Sequence, residues 1–379
     1  MMKRIFALAL FLSFSVVNYA QNTKIDTIPF TLKSSLLVFK GKLNGVATDF
    51  ALDTGASLGV VPTAKANAAN IRISGKKSIT DSNENQNTMQ SAVIETVTIG
   101  TFEIKDIKSI IYDMPFLACT DVYLLGANAI NNLNWKIDFD KKLLYVSKTV
   151  FEPTTEMLTI PIVYKSNRHF TTITIQGNVL KNCLIDTGYN DFLEVPTNEP
   201  VLKKLKKDIT NDIISSSRIS MSLSEMKINA FETLSFDNLV LGNKRFDNVK
   251  IDSRPEIEKK IGIKFFSQLT SVTIMNNSTS TYHLQLSNKP ISLQLSFDAD
   301  VFLQNSKLII TGKSNHPEST AKEVLLGDEI QAVNGLKAND FKNECDFILW
   351  RIKATTNDTM ELLLVNGKKV TLKRQVLKS

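Results

Sequence analysis

The sequence predicts a mainly β protein: two copies of one small β-barrel unit, followed by a smaller α+β module. Three observations predict it. Between residues 27 and 287, short runs rich in Val, Ile, Thr and Phe are broken by Asn, Gly and Pro, as in barrels of short strands. One long internal repeat divides that stretch in two. Beyond about residue 288 the pattern changes to strands around one helix, with Asn334-Gly335 as a tight-turn signal.

The repeat is readable residue by residue. Asp53-Thr54-Gly55 follows the strand-like Asp49-Phe50-Ala51-Leu52 and leads to Val61-Pro62; Asp186-Thr187-Gly188 follows Asn182-Cys183-Leu184-Ile185 and leads to Val195-Pro196. Downstream, Val97-Thr98-Ile99-Gly100, Ile104 and Ile107 correspond to Leu239-Val240-Leu241-Gly242, Phe246 and Val249 at a constant offset of 142. Leu124-Leu125-Gly126 and Trp135 to Val146 then correspond to Lys260-Ile261-Gly262 and Ser271 to Leu284. The first unit is assigned to residues 21–150, the second to 151–287 and the C-terminal module to 288–379. In the module, Ser292 to Phe297 and Lys307 to Ile310 read as strands. Helix is expected from Pro200 to Ile213 and from Asn339 to about Lys353. The polar stretch Ser74 to Ser91 reads as a mobile loop or hairpin.

Residues 1–20 precede these units. Met1-Met2-Lys3-Arg4, an apolar run from Ile5 to Val17 and a small Ala20 describe an export signal cleaved after Ala20. The run is too short to span a bilayer comfortably, which disfavours an uncleaved anchor. No later stretch is apolar enough to cross a membrane, so the mature chain is expected in the periplasm, in the cell envelope or outside the cell.

Composition excludes several classes. With 43% hydrophobic and 22% charged residues, the chain can bury several cores. Without Lys3 and Arg4, 43 basic residues face 38 acidic ones, a formal charge of +5. The densest basic run, Lys203 to Lys207, is interleaved with Leu202, Leu205 and Ile209 at helical spacing; it reads as a solvated helix face and not as a nucleic-acid patch. Cys119, Cys183 and Cys345 are odd in number and far apart, so no disulfide framework is implied and each is expected as a small buried apolar residue. The three histidines lack metal-ligand spacing among themselves and with the cysteines, so neither a metal nor another cofactor is expected.

A lone Asp-Thr-Gly makes a good turn anywhere. Two copies at equivalent places in duplicated units can meet across a pseudo-twofold axis, bringing Asp53 and Asp186 side by side. Two carboxylates about 3 Å apart cannot both ionise and so share a proton, the arrangement for acid–base hydrolysis without a metal or a covalent intermediate. Gly55 and Gly188 allow the close approach, and Thr54 and Thr187 can offer hydroxyls across the interface. These units resemble retropepsin-like aspartic peptidases, in which a hydrophobic strand enters Asp-Thr-Gly and a later hydrophobic pair plus glycine packs beneath the turn. Two units in one chain resemble the bilobal pepsin-like arrangement, which implies an active monomer acting on protein or peptide substrates. Two positions depart from the pattern: Tyr189 follows Gly188, and Lys260 stands first in the pair before Gly262.

The run Gly327-Asp328-Glu329-Ile330 to Val333-Asn334-Gly335, followed by a helix and two strands, resembles a PDZ domain. Such domains bind an extended peptide at a sheet edge, so a peptide ligand is implied for this module; a packing module is the bland alternative. The function expected is an exported aspartic endopeptidase. The alternative is a catalytically weak peptide-binding protein using the same cleft, favoured by Tyr189 and Lys260. A structural envelope protein would leave the paired aspartates unexplained.

Overall fold

The computed structural model describes residues 24–80, 86–208, 214–220, 227–255, 258–292 and 295–376. The export signal expected over residues 1–20 lies outside them. Strands dominate, with short helices between them, in a mainly β fold of the aspartic-protease kind.

In the first unit the strands Leu36–Leu43 and Val46–Asp53 form a hairpin whose two turn residues, Asn44 and Gly45, both have positive φ (45° and 84°). That two-residue turn matches the strand twist and fixes the register. Its core side buries Leu37, Phe39, Phe50 and Leu52. The second strand ends on Asp53 and pairs in parallel with Val122–Gly126, setting Asp53 opposite Gly126. Gly59–Val61 pairs in parallel with Phe102–Ile111 and antiparallel with Val122–Gly126.

The second unit repeats this plan. Arg168–Ile175 and Asn178–Asp186 form a hairpin through Gln176 and Gly177 at φ 50° and 69°. Asn178–Asp186 pairs in parallel with Lys260–Gly262, and Asp186 faces Gly262 as Asp53 faces Gly126. Leu193–Pro196 lies parallel to Val249–Arg254 and antiparallel to Lys260–Gly262. Each unit also carries a hairpin: Arg72–Thr80 with Gln86–Ile99, and Ile214–Ser220 with Lys227–Phe236. The stretch Ser74 to Ser91 is thus a hairpin, with residues 81–85 outside the described set.

The units join through a six-stranded antiparallel sheet, three strands from each. Its order is Leu158–Pro161, Thr281–Leu286, Thr270–Asn276, Asn134–Asp138, Leu143–Ser147 and the first half of Ile25–Lys33. The central pair sets Trp135 opposite Met275. Trp135 is fully buried and donates its indole N–H to the Ile130 carbonyl at 2.9 Å. Asn277 donates to the carbonyls of Ile130 (3.1 Å) and Leu133 (2.8 Å), and the His169 ring bridges Asn131 and the buried Tyr282 hydroxyl. One apolar core runs through both units.

The C-terminal module has its own core, with Phe302, Leu308, Phe347, Leu362 and Leu372 at its centre. Its strands are Ala299–Gln304, Lys307–Ser314, Glu329–Val333, Thr359–Leu364 and Lys369–Lys373. Three expectations change here. The strand expected from Ser292 to Phe297 is not seen among the described residues of that run: Leu295 is exposed, Ser296 makes an isolated bridge to Gln375 and Phe297 packs on the module's core (293 and 294 are outside the described residues). The helix runs Glu344–Ala354 and not from Asn339, because the Asn343 side chain caps it by accepting the Asp346 N–H at 2.9 Å. The helix expected from Pro200 to Ile213 is α-helical over Pro200–Leu205 and 3-10 over Lys206–Asp208, and 209–213 lie outside the described residues. Leu202 and Leu205 are buried while Lys203 and Lys204 are exposed, a solvated helix face.

The module grips both units. Its Lys307–Ser314 strand extends the second unit's hairpin through Ser216↔Ser314 and Ser217↔Lys313. On the other side, Phe116 and Cys119 of the helix Pro115–Thr120 pack on the module's core, and Cys119 forms a disulfide with Cys345, the Cα atoms 5.0 Å apart. This corrects the expectation of three unpaired cysteines. The partners stand 226 residues apart and meet only because two short helices from different modules pack together, a contact that spacing cannot reveal. Cys183 is buried and free.

A bridge closing so long a loop is expected to stabilise by about 2–4 kcal/mol. Cys345→Ser should lower the melting temperature, and a reductant should lower that of the parent to the same value while leaving the variant unmoved. Equal melting temperatures for parent and variant under oxidising conditions would mean that the bridge contributes nothing.

Candidate active site

Both Asp-Thr-Gly segments sit where a strand with an antiparallel neighbour on one side and a parallel one on the other ends and turns sharply. The turns face each other and are tied by a reciprocal contact. Thr54 Oγ1 donates to the Ile185 carbonyl at 2.7 Å and accepts the Thr187 N–H at 3.2 Å; Thr187 Oγ1 donates to the Leu52 carbonyl at 2.9 Å and accepts the Thr54 N–H at 3.1 Å. Each hydroxyl has spent its one proton on the other unit's carbonyl, so the 3.5 Å approach of the two hydroxyls adds no further bond. All four bonds are buried, where an unmet donor or acceptor costs most.

The tie carries the aspartates to the same place. A Cβ on Gly188 would strike the Asp53 carboxylate, and one on Gly55 would strike that of Asp186, so the approach requires glycine at both positions. Asp53 Oδ1 accepts the N–H groups of Gly55 (2.8 Å) and Ala56 (2.9 Å); Asp186 Oδ1 accepts those of Gly188 (3.1 Å) and Tyr189 (3.0 Å). The structure therefore brings together all six residues singled out in the sequence: Asp53, Thr54, Gly55, Asp186, Thr187 and Gly188.

Beyond the turns the symmetry ends. On the first unit's side an apolar cluster joins Ala56 and Leu58 to Met89 of the hairpin, Leu117 of the helix and Leu124 of the strand beneath. On the second unit's side the equivalent of Leu124 is Lys260, which is buried, and its ammonium stands 3.7 Å from Asp186 Oδ2. Around it the buried Glu194 pairs with Arg254 at 3.3 Å, and Asp252 pairs with Arg218 at 3.0 Å. The Tyr189 side chain turns away from the carboxylates, its ring over Lys260 and its hydroxyl 3.5 Å from Asp252 Oδ2. Sequence reading marked Tyr189 and Lys260 as departures but missed the charged surroundings. Glu194 between Leu193 and Val195, inside a short apolar run, was the available signal.

Burial first, and then the facing Asp186 carboxylate, push Asp53 up to about 7, against the opposing pull of the Ala56 and Gly55 N–H groups and of Lys260. Near neutral pH the pair thus holds one proton. Among the described residues no group of three or more His, Cys, Asp or Glu has the geometry to hold a metal ion. A carboxylate pair of this geometry can take a proton from water with one member and give a proton with the other.

The mainly β fold is consistent with that of aspartic proteases. Residues 39–132, which include Asp53 and Gly126, match the family described as gag-polyprotein putative aspartyl protease, a match that supports peptidase activity in general. No curated protein matches the chain.

Thr54→Ala would orphan the Ile185 carbonyl and the Thr187 N–H, each at about 1–3 kcal/mol, whereas Thr54→Ser keeps both partners. Chemical denaturation should rank parent and serine variant together and the alanine variant well below; equal stability of all three would deny the tie its structural weight. The raised Asp53 makes a second, signed prediction. Below its unfolded value of 3.8 both states hold the proton, and as pH climbs through about 7 the folded state loses the advantage of holding it. Asp53→Asn should therefore melt above the parent at pH 8, with the gap closing toward pH 4. A gap that widened toward pH 4 would reverse the sign.

Proposed function

We propose that the chain is an exported aspartic endopeptidase, active as a monomer, in which residues 21–150 and 151–287 supply Asp53 and Asp186 respectively. The observation that carries this reading is the crossed threonine contact, which sets each carboxylate against the other turn's glycine. Water held between the carboxylates gives a proton to one of them and attacks the peptide carbonyl carbon, while the other gives its proton to the carbonyl oxygen. The tetrahedral diol then collapses: the amine nitrogen takes a proton from the first carboxyl, a diol hydroxyl returns one to the second, and the C–N bond breaks. Every proton is returned. Both halves of the joining sheet come from one chain, which favours the monomer. The apolar cluster beside Ala56 favours apolar side chains on that flank of the scissile bond.

Export is supported by residues 1–20 and by the Cys119–Cys345 disulfide, which suits an oxidising compartment. Among the described residues no helix is long and apolar enough to cross a membrane. Residues 288–379 act as a PDZ-like module whose Ala299–Gln304 strand, paired among the described residues with Lys307–Ser314 alone, offers its other edge beside the helix Glu344–Ala354 for a peptide. A second reading, a catalytically weak peptide-binding protein, draws on the ammonium beside Asp186.

Incubating the mature chain with a diverse peptide library, with and without pepstatin, separates the two readings. Peptide bonds should be cut by the parent and by neither Asp53→Asn nor Asp186→Asn; tight binding without cleavage would select the weaker reading. Activity should follow a bell whose maximum lies at weakly acidic pH, roughly 5 to 6, with its alkaline limb near the Asp53 value of about 7. Strong acid is disfavoured also by stability. Burial pulls His169 down to about 3 from 6.5, so the stability it contributes above 6.5 is lost as pH falls toward 3. A maximum below pH 3 would contradict both points.

A further inference from the structure

The two lobes offer the carboxylates the same backbone donors, two N–H groups on one oxygen each, but different side chains beneath. Under Asp53 the strand Val122–Gly126 presents Leu124, paired with Ala51. At the same register under Asp186, Lys260–Gly262 presents Lys260, paired with Leu184, its ammonium 3.7 Å from Asp186 Oδ2 with both side chains largely buried. A buried cation on one member of a symmetric pair removes the degeneracy of the shared proton, because the ionised form is favoured where the ammonium stands.

Resting on the peptidase reading above, we propose that Lys260 is a positioning residue that assigns the two halves of the reaction: it holds Asp186 as the carboxylate that takes the proton from water and leaves Asp53 as the acid that protonates the carbonyl oxygen. The charges facing this centre are mostly engaged with one another. The strand Leu193–Pro196 brings Glu194, paired with Arg254 of Val249–Arg254; the same strand's Asp252 pairs with Arg218 of the hairpin. In the turn, Asp191 pairs with Lys264 at 3.4 Å, while Lys259 is drawn off by Glu199 at 2.8 Å. Burial holds the Glu194 carboxyl above its ordinary range against the opposing pull of Lys260, so Glu194 is the carboxylate that competes with Asp186 for the Lys260 field. A side chain so unlike leucine is accommodated because the Tyr189 ring lies beside the ammonium, its centroid 5.8 Å away.

Two variants of the full mature chain test this in opposite directions. Lys260→Met removes a positive charge from the pair, so both limbs of the kcat/KM profile for one peptide should move up by about one pH unit or more. Glu194→Gln removes the competing negative charge, so both limbs should move down, and this variant decides the matter if Lys260→Met does not fold. Lower rates with unmoved limbs in both variants would reduce Lys260 to a packing role and overturn the proposal. Carboxyl NMR titration of 13C-aspartate-labelled parent, assigned with Asp53→Asn and Asp186→Asn, reads the order of ionisation without turnover. Asp186 ionising first supports the proposal, and Asp53 ionising first sinks it. If the parent cuts no peptide at any pH the peptidase reading fails, while the titration still decides what Lys260 does to the pair.

Discussion

Two threonine hydroxyls hold the candidate site together. Each donates to a carbonyl of the opposite unit and receives that unit's N–H, so two sharp turns that leave backbone groups unmet are satisfied only by each other. Neither turn is complete alone. The six-stranded joining sheet brings the units within reach, and the two glycines let the carboxylates close the last distance. The raised Asp53, the shared proton and the acid–base chemistry all follow from that approach.

The duplicated scaffold is symmetric in backbone and asymmetric in side chains. The first unit sets an apolar cluster beneath and beside its aspartate, while the second sets a largely buried set of charges there, with Lys260 facing Asp186, Glu194 paired with Arg254 and Asp252 paired with Arg218. Buried charges of this kind are a poor source of stability and persist where they are paired. Symmetry of backbone serves the geometry of the pair, and asymmetry of charge can give its two members different work. The C-terminal module adds a further constraint, since it is bonded to the helix Pro115–Thr120 of the first unit and strand-paired with the hairpin of the second. Movement of that hairpin relative to the first unit therefore loads the module.

The mainly β fold was legible in the sequence because the repeat is nearly gapless and strand propensity, turn chemistry and hydrophobic alternation agree within it. The six residues at the turns were legible because their pattern occurs twice. What was not legible lies between distant segments. The Cys119–Cys345 bridge comes from two helices that pack only in the folded chain. The ion pairs around Lys260 join residues from 186 to 260 that lie on separate strands, and each charge reads singly as an isolated polar residue. At the start of the module, Ser292 to Phe297 alternates like a strand, yet Leu295 stays exposed and only Phe297 packs on the core among the described residues of that run, so context overrode local pattern.

The central claim is that one chain closes one site from its own two turns. Mixing purified Asp53→Asn and Asp186→Asn chains in equal amounts, after unfolding and refolding them together, tests this most directly with a peptide that the parent cuts. An intramolecular pair leaves each variant and the refolded mixture equally silent, because every site contains one asparagine. Hydrolysis recovered in the mixture would place the pair between chains and contradict the account.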